Sequence, residues 1–482
     1  MSFNRRILPA DASTTGIVPE DHFHIDTWTG ASGSENDIVG TNFAPDFVWI
    51  KNRGSGSYGH VLYDSTRGAE KELLTSSTNA QSNESSGLQH FGGGGYVIGN
   101  DSTVWSYNDN FVGYSWHANG GKTSSNTDGT ITSTVQANQA GGFSIVKYTG
   151  NGSANATIGH GLATAPNMII SKNIESTGDW MVFHSSLSSN YAIKLHQTNA
   201  AFDTTQGTKG GGFSVSSTTM TVLSGVSNQE NNNKNGDDFI AYCFADIEGL
   251  QKFGSYTGNA STSGPSINAG FEGRFLLIRR TDSGDNWMLF DTARHEAEDN
   301  NLALFPNSNS AESNPNLVNG IDFTATGFTI NSSDSSINGN GATYIYWLIG
   351  KSSTSETPTV ENSYSSENWI GSPRAISVYN GFQPGLVITR SFDDGSYNWG
   401  VYDSLRGHGS ELHFDQTAAA DVDLNNHGVG EFNTDNIALY GDDYPANYEE
   451  KKYIGYIFKA DDETSTNSNG SISCTVSANA AA

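Results

Sequence analysis

Short apolar runs recur along the chain and are separated by polar loops rich in Gly, Asn, Asp and Ser. The runs are rich in Val, Ile, Tyr, Phe and Trp, which is typical of β-strands. "GFSV" (212–215) and "GFTI" (327–330) alternate, as expected for a strand with one face in water, whereas "FVGYSW" (111–116) is apolar on both faces. Because no convincing amphipathic helical pattern accompanies these runs, the sequence predicts an all-β protein.

The order of the segments repeats four times. Each copy contains an opening strand that ends in an aromatic residue and a turn, then an apolar run, a Trp-containing phrase and an aromatic closing strand. The opening segments are "IDTWTG" (25–30), "IVKYTGNG" (145–152), "KFGSYTGN" (252–259) and, more weakly, "ISVYNG" (376–381). The closing segments begin at residues 111, 239, 344 and 453. The closing segments thus lie 128, 105 and 109 residues apart. Repeats of this length favour β-sandwiches, because propeller blades are only about 40–50 residues long.

This organisation predicts four tandem antiparallel β-sandwich modules of the jelly-roll, lectin-like type. Low-complexity polar stretches separate some of them, and polar segments flank the series. The predicted boundaries are an N-terminal arm (1–18), module 1 (19–117), a linker (118–141), module 2 (142–246), module 3 (247–351), a linker (352–373), module 4 (374–460) and a polar tail (461–482).

One phrase recurs in all four modules, as "DNWMLFDTAR" (285–294) and "YNWGVYDSLR" (397–406) illustrate. In three copies an aspartate precedes an arginine by three residues, a spacing that predicts an ion pair at the end of a strand. The predicted pairs are Asp64 with Arg67, Asp291 with Arg294, and Asp403 with Arg406. His184 and Leu187 replace both members of the pair in module 2, which favours a structural role. The alternative is a carbohydrate contact made by the tryptophans of the phrase, Trp180, Trp287 and Trp399.

Two equivalent loops combine carboxylates with glycine, in the manner of calcium sites. "TDSGDN" (281–286) offers Asp282 and Asp285, and "SFDDGSYN" (391–398) offers Asp393 and Asp394. The alternative is that both loops are ordinary hairpin turns, since Asp and Gly also favour turns. No cofactor is certain, and calcium is the possible one. The two cysteines predict no structural disulfide, and no Cys/His cluster suggests zinc.

No motif of a known catalytic site is found. "FGGGGY" (91–96) lacks the lysine of a phosphate-binding loop, and there is no GxSxG segment for a serine hydrolase. We therefore predict that the protein is not an enzyme. The formal charge of −27 argues against nucleic-acid partners and anionic membrane surfaces, both of which attract basic patches. No apolar run is long enough to span a membrane, and no signal peptide is apparent.

Three segments resemble a known family. "FVGYSWHANGG", "FSIVKYTGNGSANATIGHGLATAPNMIISK" and the W-x-V/L-F/Y-D-S-x-R phrase are similar to concanavalin-like β-sandwich modules of tail fibres and other virion appendages of marine tailed phages. The similarity covers roughly residues 19–460 and is strongest over 142–245. It implies a virion protein synthesised in the host cytoplasm, and it carries over no catalytic residues.

Three hypotheses follow. The first is a tail fibre or receptor-binding protein that attaches to a host surface glycan. The second is a head-decoration or tail-assembly protein without a ligand, and the third is a glycan depolymerase. A homotrimer is expected, because weak sugar sites gain avidity when several copies act together. The locally basic N-terminal arm is expected to contact other virion proteins.

Overall fold

The protein is all-β and antiparallel, as the sequence predicts. The computed structural model describes residues 17–31, 36–92, 94–206, 211–223, 231–294, 302–314, 317, 320–351, 364–372, 375–392, 398–407, 410–414, 421–422, 428–433, 435–441, 445–460, 465–467 and 474–476. Within these ranges the helical structure consists of a 3-10 turn, Pro19–Asp21, and one short helix, α1, Ser335–Asn338. Neither could cross a membrane.

The strands form four successive β-sandwich-like units, each with a large sheet and a small sheet. Unit 1 contains β1 Phe23–Thr29, β2 Asn36–Val39, β3 Phe47–Asn52, β4 Val61–Asp64, β5 Lys71–Leu74, β6 Ser82–Asn83, β7 Leu88–Gly92, β8 Gly95–Ile98 and β9 Asn110–Trp116. Unit 2 contains β10 Ser124–Asn126, β11 Ser133–Asn138, β12 Phe143–Thr149, β13 Thr157–Gly159, β14 Met168–Asn173, β15 Met181–His184, β16 Tyr191–Lys194, β17 Phe202–Asp203, β18 Gly212–Val215, β19 Thr219–Leu223 and β20 Asp238–Phe244.

The second half of the chain repeats this arrangement. Unit 3 contains β21 Gln251–Thr257, β22 Ser266–Asn268, β23 Gly273–Arg280, β24 Trp287–Asp291, β25 Ile321–Thr324, β26 Gly327–Ile330 and β27 Thr343–Gly350, with α1 before the last strand. Unit 4 contains β28 Tyr364–Ile370, β29 Ile376–Tyr379, β30 Pro384–Ser391, β31 Gly400–Asp403, β32 Ser410–His413, β33 Asp421–Val422, β34 Gly428–Phe432, β35 Asn436–Tyr440 and β36 Lys452–Lys459. In the tail, β37 Ser465–Asn467 pairs with β38 Cys474–Val476.

Every large sheet has the same four strands in the same order: opening strand, closing strand, central strand, and the strand that carries the repeated phrase. These are β1-β9-β3-β4 in unit 1, β12-β20-β14-β15 in unit 2, β21-β27-β23-β24 in unit 3, and β28-β36-β30-β31 in unit 4. The small sheets, β2-β8-β7, β13-β19-β18, β22-β26-β25 and β29-β35-β34, are equivalent as well.

A stacked aromatic pair fixes the register of the opening and closing strands in all four units. The directly opposed residues are Trp28 and Phe111, Tyr148 and Phe239, Tyr256 and Tyr344, and Trp369 and Tyr453. Their ring centroids lie 5.5, 5.4, 4.8 and 5.8 Å apart, with interplanar angles of 7°, 14°, 11° and 16°. Such cross-strand aromatic contacts stabilise a sheet beyond the area they bury.

The register shows where the sequence reading of the fourth repeat needs correction. "ISVYNG" (376–381) was expected to open the unit, but it contains β29 of the small sheet. The opening strand is β28, within the predicted linker 352–373, and it carries Trp369 opposite Tyr453. The other predicted linker, 118–141, contains β10 and β11, which extend the large sheet of unit 2.

Each large sheet has two faces, because successive side chains on a strand point to opposite sides. One face packs on the small sheet of the same unit and forms a separate core in each of the four units. We call the opposite side the inner face. The inner faces of units 1, 2 and 3 pack on one another and form a single shared core.

Large aromatic rings fill the centre of this shared core. Trp347 of unit 3 lies 5.6 Å from Trp116 of unit 1 and 4.3 Å from Phe244 of unit 2, measured between ring centroids. Phe47 of unit 1 stacks on Tyr242 of unit 2 at 4.3 Å. Three separate units therefore join into one block through apolar burial, the dominant favourable term in folding.

Candidate functional site

The tryptophans of units 2 and 3 are packing residues. Trp180 and Trp287 are fully buried, and each indole nitrogen donates a hydrogen bond to a carbonyl oxygen of a neighbouring unit. Trp180 Nε1 lies 2.9 Å from the oxygen of Leu74, and Trp287 Nε1 lies 3.0 Å from the oxygen of Lys194. Neither ring can stack on a sugar in this fold, which corrects the carbohydrate interpretation for these two residues. Sequence alone could not reveal this, because the covering surface belongs to another unit.

Trp399 is placed differently, although it occupies the same position in unit 4. Its ring is half-buried, stacks on Tyr456 at 6.3 Å and lies under the guanidinium of Arg390, 5.0 Å from the centroid. Within the described residues no other unit covers it. Trp399 therefore lies on an inner face that no other described unit covers.

The aspartate and arginine of the phrase form an ion pair in units 1, 3 and 4. The Nε···Oδ2 distances are 2.5 Å for Arg67 and Asp64, 2.5 Å for Arg294 and Asp291, and 2.6 Å for Arg406 and Asp403. In each unit the second carboxylate oxygen accepts the arginine backbone N–H, at 2.8–2.9 Å. In each unit the guanidinium also donates to a carbonyl oxygen five residues earlier. The pair thus fixes the turn at the end of the strand, as the spacing predicts.

Two of these carboxylates also receive a tyrosine hydroxyl from another unit. Tyr242 of unit 2 donates to Asp64 of unit 1 at 2.7 Å, and Tyr114 of unit 1 donates to Asp291 of unit 3 at 2.6 Å. Burial, together with the nearby carboxylate, holds the pKa of both tyrosines well above its usual value. The hydroxyls therefore stay protonated as donors, and each bond crosses an interface between units.

The interface between units 2 and 3 explains the joint replacement in module 2. Trp347 occupies the place of the tyrosine in the closing strand of unit 3, so it offers no hydroxyl. The facing residue in unit 2 is His184, whose Nε2 donates to the Tyr346 carbonyl oxygen at 3.1 Å while its Nδ1 accepts the Ser186 N–H. The aspartate and the tyrosine it would bind are thus absent on opposite sides of one interface.

Of the two candidate calcium loops, the structure describes the one in unit 3 and only the ends of the one in unit 4. Asp282 pairs with Arg280 at 2.8 Å, and Asp285 accepts the Asn286 N–H at 2.9 Å. Both aspartates therefore serve local turn contacts. Asp393 and Asp394 lie outside the described residues. Across the part of the chain that the structure describes, no group of three or more His, Cys, Asp or Glu side chains could hold a metal ion. Calcium binding stays a prediction.

A cleft of about 880 Å³ lies between units 1 and 4. Strands β2, β7 and β8 form one wall, and β28, β29, β34 and β35 form the other. The two units are close at Gly40, where an added Cβ would lie 3.2 Å from the hydroxyl oxygen of Tyr379. A volume of this size is typical of ligand sites in proteins.

Aromatic rings, carboxylates and amides line this cleft together. The aromatic residues are Tyr96, Trp369, Tyr379 and Tyr440, the carboxylates are Asp37, Glu367 and Glu431, and the amides are Asn42, Asn368 and Asn433. Trp369 is held by its stacking on Tyr453 and by a 2.7 Å hydrogen bond from Nε1 to the Ala446 carbonyl oxygen. Among the described residues that line the cleft, His90 is the one basic side chain.

The electrostatics of the cleft favour uncharged hydrogen-bonding ligands. Burial raises the pKa of Glu367, and a hydrogen bond from Ser365 opposes that shift. Burial and the neighbouring carboxylates Asp435 and Asp26 raise the pKa of Tyr379 to about 12. A hydrogen bond to Glu431 raises the pKa of Tyr440. The cleft therefore offers acceptors and neutral hydroxyls, and it would repel an anion.

Sequence analysis missed this cleft. Its walls come from segments at least 270 residues apart, and β28 and β29 were not assigned to their correct sheets. No local motif joins the two halves. The available signal was compositional only: Trp, Tyr and Asn occur near glutamates in β28, β34 and β35 of unit 4.

Comparison with known proteins identifies the family. Residues 18–352 and 363–482 match the family described as "Domain of unknown function (DUF7483)", so the chain belongs to that family. The match includes all four units and assigns no activity. No curated protein matches the chain.

Proposed function

We propose that this DUF7483 protein is a phage virion protein that attaches the particle to a neutral glycan on the host surface, and that the cleft between units 1 and 4 is the binding site. The observation that carries the proposal is the combination of half-buried aromatic rings and hydrogen-bonding side chains in one cleft of ligand size.

The chemistry of the lining residues suits a sugar. A pyranose ring has apolar C–H faces, which pack on aromatic rings, and hydroxyl groups at its rim, which need acceptors and donors. The rings come from Trp369, Tyr379 and Tyr440, and the hydrogen-bond acceptors come from Glu367 and Glu431. Tyrosine combines a large apolar surface with a hydroxyl and loses little conformational freedom on binding.

Charge narrows the class of glycan. Three carboxylates and a single histidine lie on the cleft wall, and the whole chain carries a formal charge of −27. An acidic polysaccharide would be repelled both over a distance and within the site. A neutral polysaccharide would not be, and its hydroxyls can donate to the carboxylates.

The architecture fits this role. We interpret the four units as jelly-roll, lectin-like modules, because each pairs a large antiparallel sheet with a smaller one. Units 1–3 share one core and would form a rigid base, while unit 4 completes the cleft. The N-terminal arm, predicted to contact other virion proteins, lies outside the described residues over 1–16.

A glycan-array screen followed by calorimetry tests the proposal. Tyr440→Ala and Glu431→Gln should each weaken binding to a neutral glycan at least tenfold, since a good polar or aromatic contact is worth about 1–2 kcal/mol. Tyr107→Ala is the matched control, because Tyr107 is 68% exposed and lies away from the cleft in unit 1. Absence of any glycan ligand, or equal binding by all three variants, would refute the proposal.

A structural virion protein without ligand is the second candidate. The observation that favours it is that the repeated phrase packs units together in units 1–3 and needs no ligand to explain it. A protein that assembles into particles but binds no glycan would support this candidate. We expect no release of reducing ends from host polysaccharide in either case.

A further inference from the structure

We propose that three copies of this chain associate through the inner face of unit 4, in the same way that the inner faces of units 1, 2 and 3 pack within one chain. The proposal rests on the packing of equivalent surfaces and is independent of glycan binding. The inner face of unit 4 is thus covered by a second and a third copy of the chain.

The interface inside the chain is cyclic. Tyr242 joins unit 2 to unit 1, Tyr114 joins unit 1 to unit 3, and His184 joins unit 2 to unit 3. Each unit thus contacts both others, and the cycle closes after three members. Heterologous contacts of this kind form rings when the rotation between members closes.

A second set of hydrogen bonds closes the cycle in one direction, from unit 2 to unit 1, from unit 1 to unit 3 and from unit 3 to unit 2. A cation on the central strand of each unit donates to a carbonyl oxygen of the next unit: Lys51 to Asn309 at 3.2 Å, Lys172 to Thr78 at 3.0 Å, and Arg279 to Asn199 at 2.6 Å. Arg390 holds the equivalent position on the central strand of unit 4.

Unit 4 retains both halves of the hydrogen-bonding pattern. Tyr456 occupies the position of Tyr114 and Tyr242, and Asp403 with Arg406 occupies that of Asp64 with Arg67. Within the described residues the Tyr456 hydroxyl and the Asp403 carboxylate have no partner in another unit. Arg406 Nη1 is buried and lacks any hydrogen-bond partner there. A neighbouring copy of the same face would supply Tyr456 to Asp403.

The apolar residues of this face are exposed where their equivalents are buried. Tyr364 is 39% exposed and Phe458 is 36% exposed, and they are directly opposed in register. The equivalent pairs are Phe23 with Trp116, Phe143 with Phe244, and Gln251 with Ile349, all buried in the shared core or beside it. Leu386 and Ile388, on the central strand of unit 4, are half-buried and belong to none of the core clusters.

Charge permits close packing of this face despite the acidity of the chain. The inner-face positions of the opening, central and closing strands of unit 4 carry Tyr364, Ser366, Asn368, Ile370, Leu386, Ile388, Arg390, Lys452, Ile454, Tyr456 and Phe458, none of which is acidic. Asp403 is neutralised by Arg406. Like charges therefore do not oppose three copies of the face, and Arg390 adds a cation.

Self-complementarity favours further copies of the chain over a different protein. The donor Tyr456 and the acceptor Asp403 lie on the same face. In units 1–3 of the same chain, equivalent faces bind one another. Units 2 and 3 lost the aspartate and the tyrosine at the one interface where they face each other, through His184 and Trp347. Unit 4 has lost neither, as expected if each copy must provide both sides of three identical interfaces.

Sedimentation equilibrium of the full-length protein tests the proposal. The wild type should have three times the 51.4 kDa mass of one chain at micromolar concentration. Phe458→Glu should yield a monomer, because three charges would meet at the centre. Tyr107→Glu, a substitution at an exposed aromatic outside this face, should remain trimeric. Tyr456→Phe should weaken the trimer at least tenfold through loss of a hydrogen bond to a charged group.

The outcomes that overturn the proposal are equally specific. A wild type that is monomeric or dimeric throughout, or a trimer that survives Phe458→Glu, would refute it. If Phe458→Glu does not retain the wild-type circular dichroism, the decision passes to Tyr456→Phe, which removes one hydroxyl only. Glycan affinity per chain should be unchanged in both variants, because neither Phe458 nor Tyr456 lines the cleft, so failure here is distinguishable from failure of the proposed function.

Discussion

Units 1–3 and unit 4 contain the same strands but differ in what covers their inner faces. In units 1–3 the aromatic residues of that face lie in a shared core, and the Asp–Arg pairs of units 1 and 3 are fully buried. In unit 4 the pair is 26% exposed at both side chains, and Phe458 faces solvent. The difference shows that the repeated phrase is an assembly element, since its energetic value depends on a neighbouring unit.

The comparison also explains variation among the repeats. A replacement in one unit matches a replacement in the unit it touches, as His184 and Trp347 show. Buried polar groups must be satisfied, so loss of the tyrosine hydroxyl removes the reason to bury an aspartate there.

Truncation at the centre of the shared core should have the largest effect. Trp347→Ala should destabilise the protein by about 3–5 kcal/mol, because it removes a buried indole and leaves a cavity. Tyr456→Ala, at the equivalent position of unit 4, should lower the melting temperature of the dilute monomer far less. Denaturant unfolding of both variants measures the contrast. Equal losses would contradict the distinction between the two faces.

Removal of a buried arginine should be nearly as damaging. Arg294→Ala leaves Asp291 buried without its counter-ion, a loss of roughly 3–5 kcal/mol. Arg406→Ala breaks the partly exposed pair of unit 4 and should cost about 0–1 kcal/mol in the monomer. Thermal melts of the two variants, with glycan affinity measured in parallel, test this prediction. Unchanged melting of Arg294→Ala together with lost binding would overturn the structural role.

Acid should weaken the interface between units 2 and 3. Burial lowers the pKa of His184 to about 4 from its usual 6.5, although the hydrogen bond to Tyr346 opposes this. The unfolded chain therefore binds more protons between these values, so the stabilising contribution is complete above pH 6.5 and is lost as pH falls toward 4. The loss is on the order of 3 kcal/mol.

The control for this pH effect is His184→Gln, which cannot titrate. Burial also lowers the pKa of His22 to about 4 and that of His60 well below its usual value, so some acid dependence will remain. Denaturation midpoints measured from pH 7 to pH 4 should fall less steeply for the variant. Identical slopes would show that His184 makes no contribution.

Loss of one buried hydroxyl should have a smaller effect than loss of a buried arginine. Tyr242→Phe removes a donor to Asp64 and should cost about 1.5–3 kcal/mol at any protein concentration. Tyr456→Phe should leave the monomer unaffected and alter association only. Unfolding curves at two protein concentrations separate the two cases, and a concentration-independent loss in Tyr456→Phe would argue against an intermolecular partner.

Local features were predictable from the sequence, while contacts between units were not. The i to i+3 spacing of Asp and Arg was enough to predict the turn pairs, and recurring aromatic strands predicted four β units. The opening strand of unit 4 was missed because "YSSENWI" has Ser366 where the first three units have an apolar residue, Ile25, Ile145 or Phe253. The burial of Trp180 and Trp287 depends on another unit, and the cleft depends on two, so neither leaves a local pattern.

Hydroxyl-radical footprinting of the full-length protein tests the central claim most directly. The account predicts that Trp116 and Phe244 stay protected at every protein concentration, since the shared core lies within one chain. Phe458 should be modified in dilute solution and become protected as the concentration rises. Modification of Trp116 and Phe244 in the folded protein would contradict the shared core. Equal modification of Phe458 at all concentrations would contradict the association of three copies through unit 4.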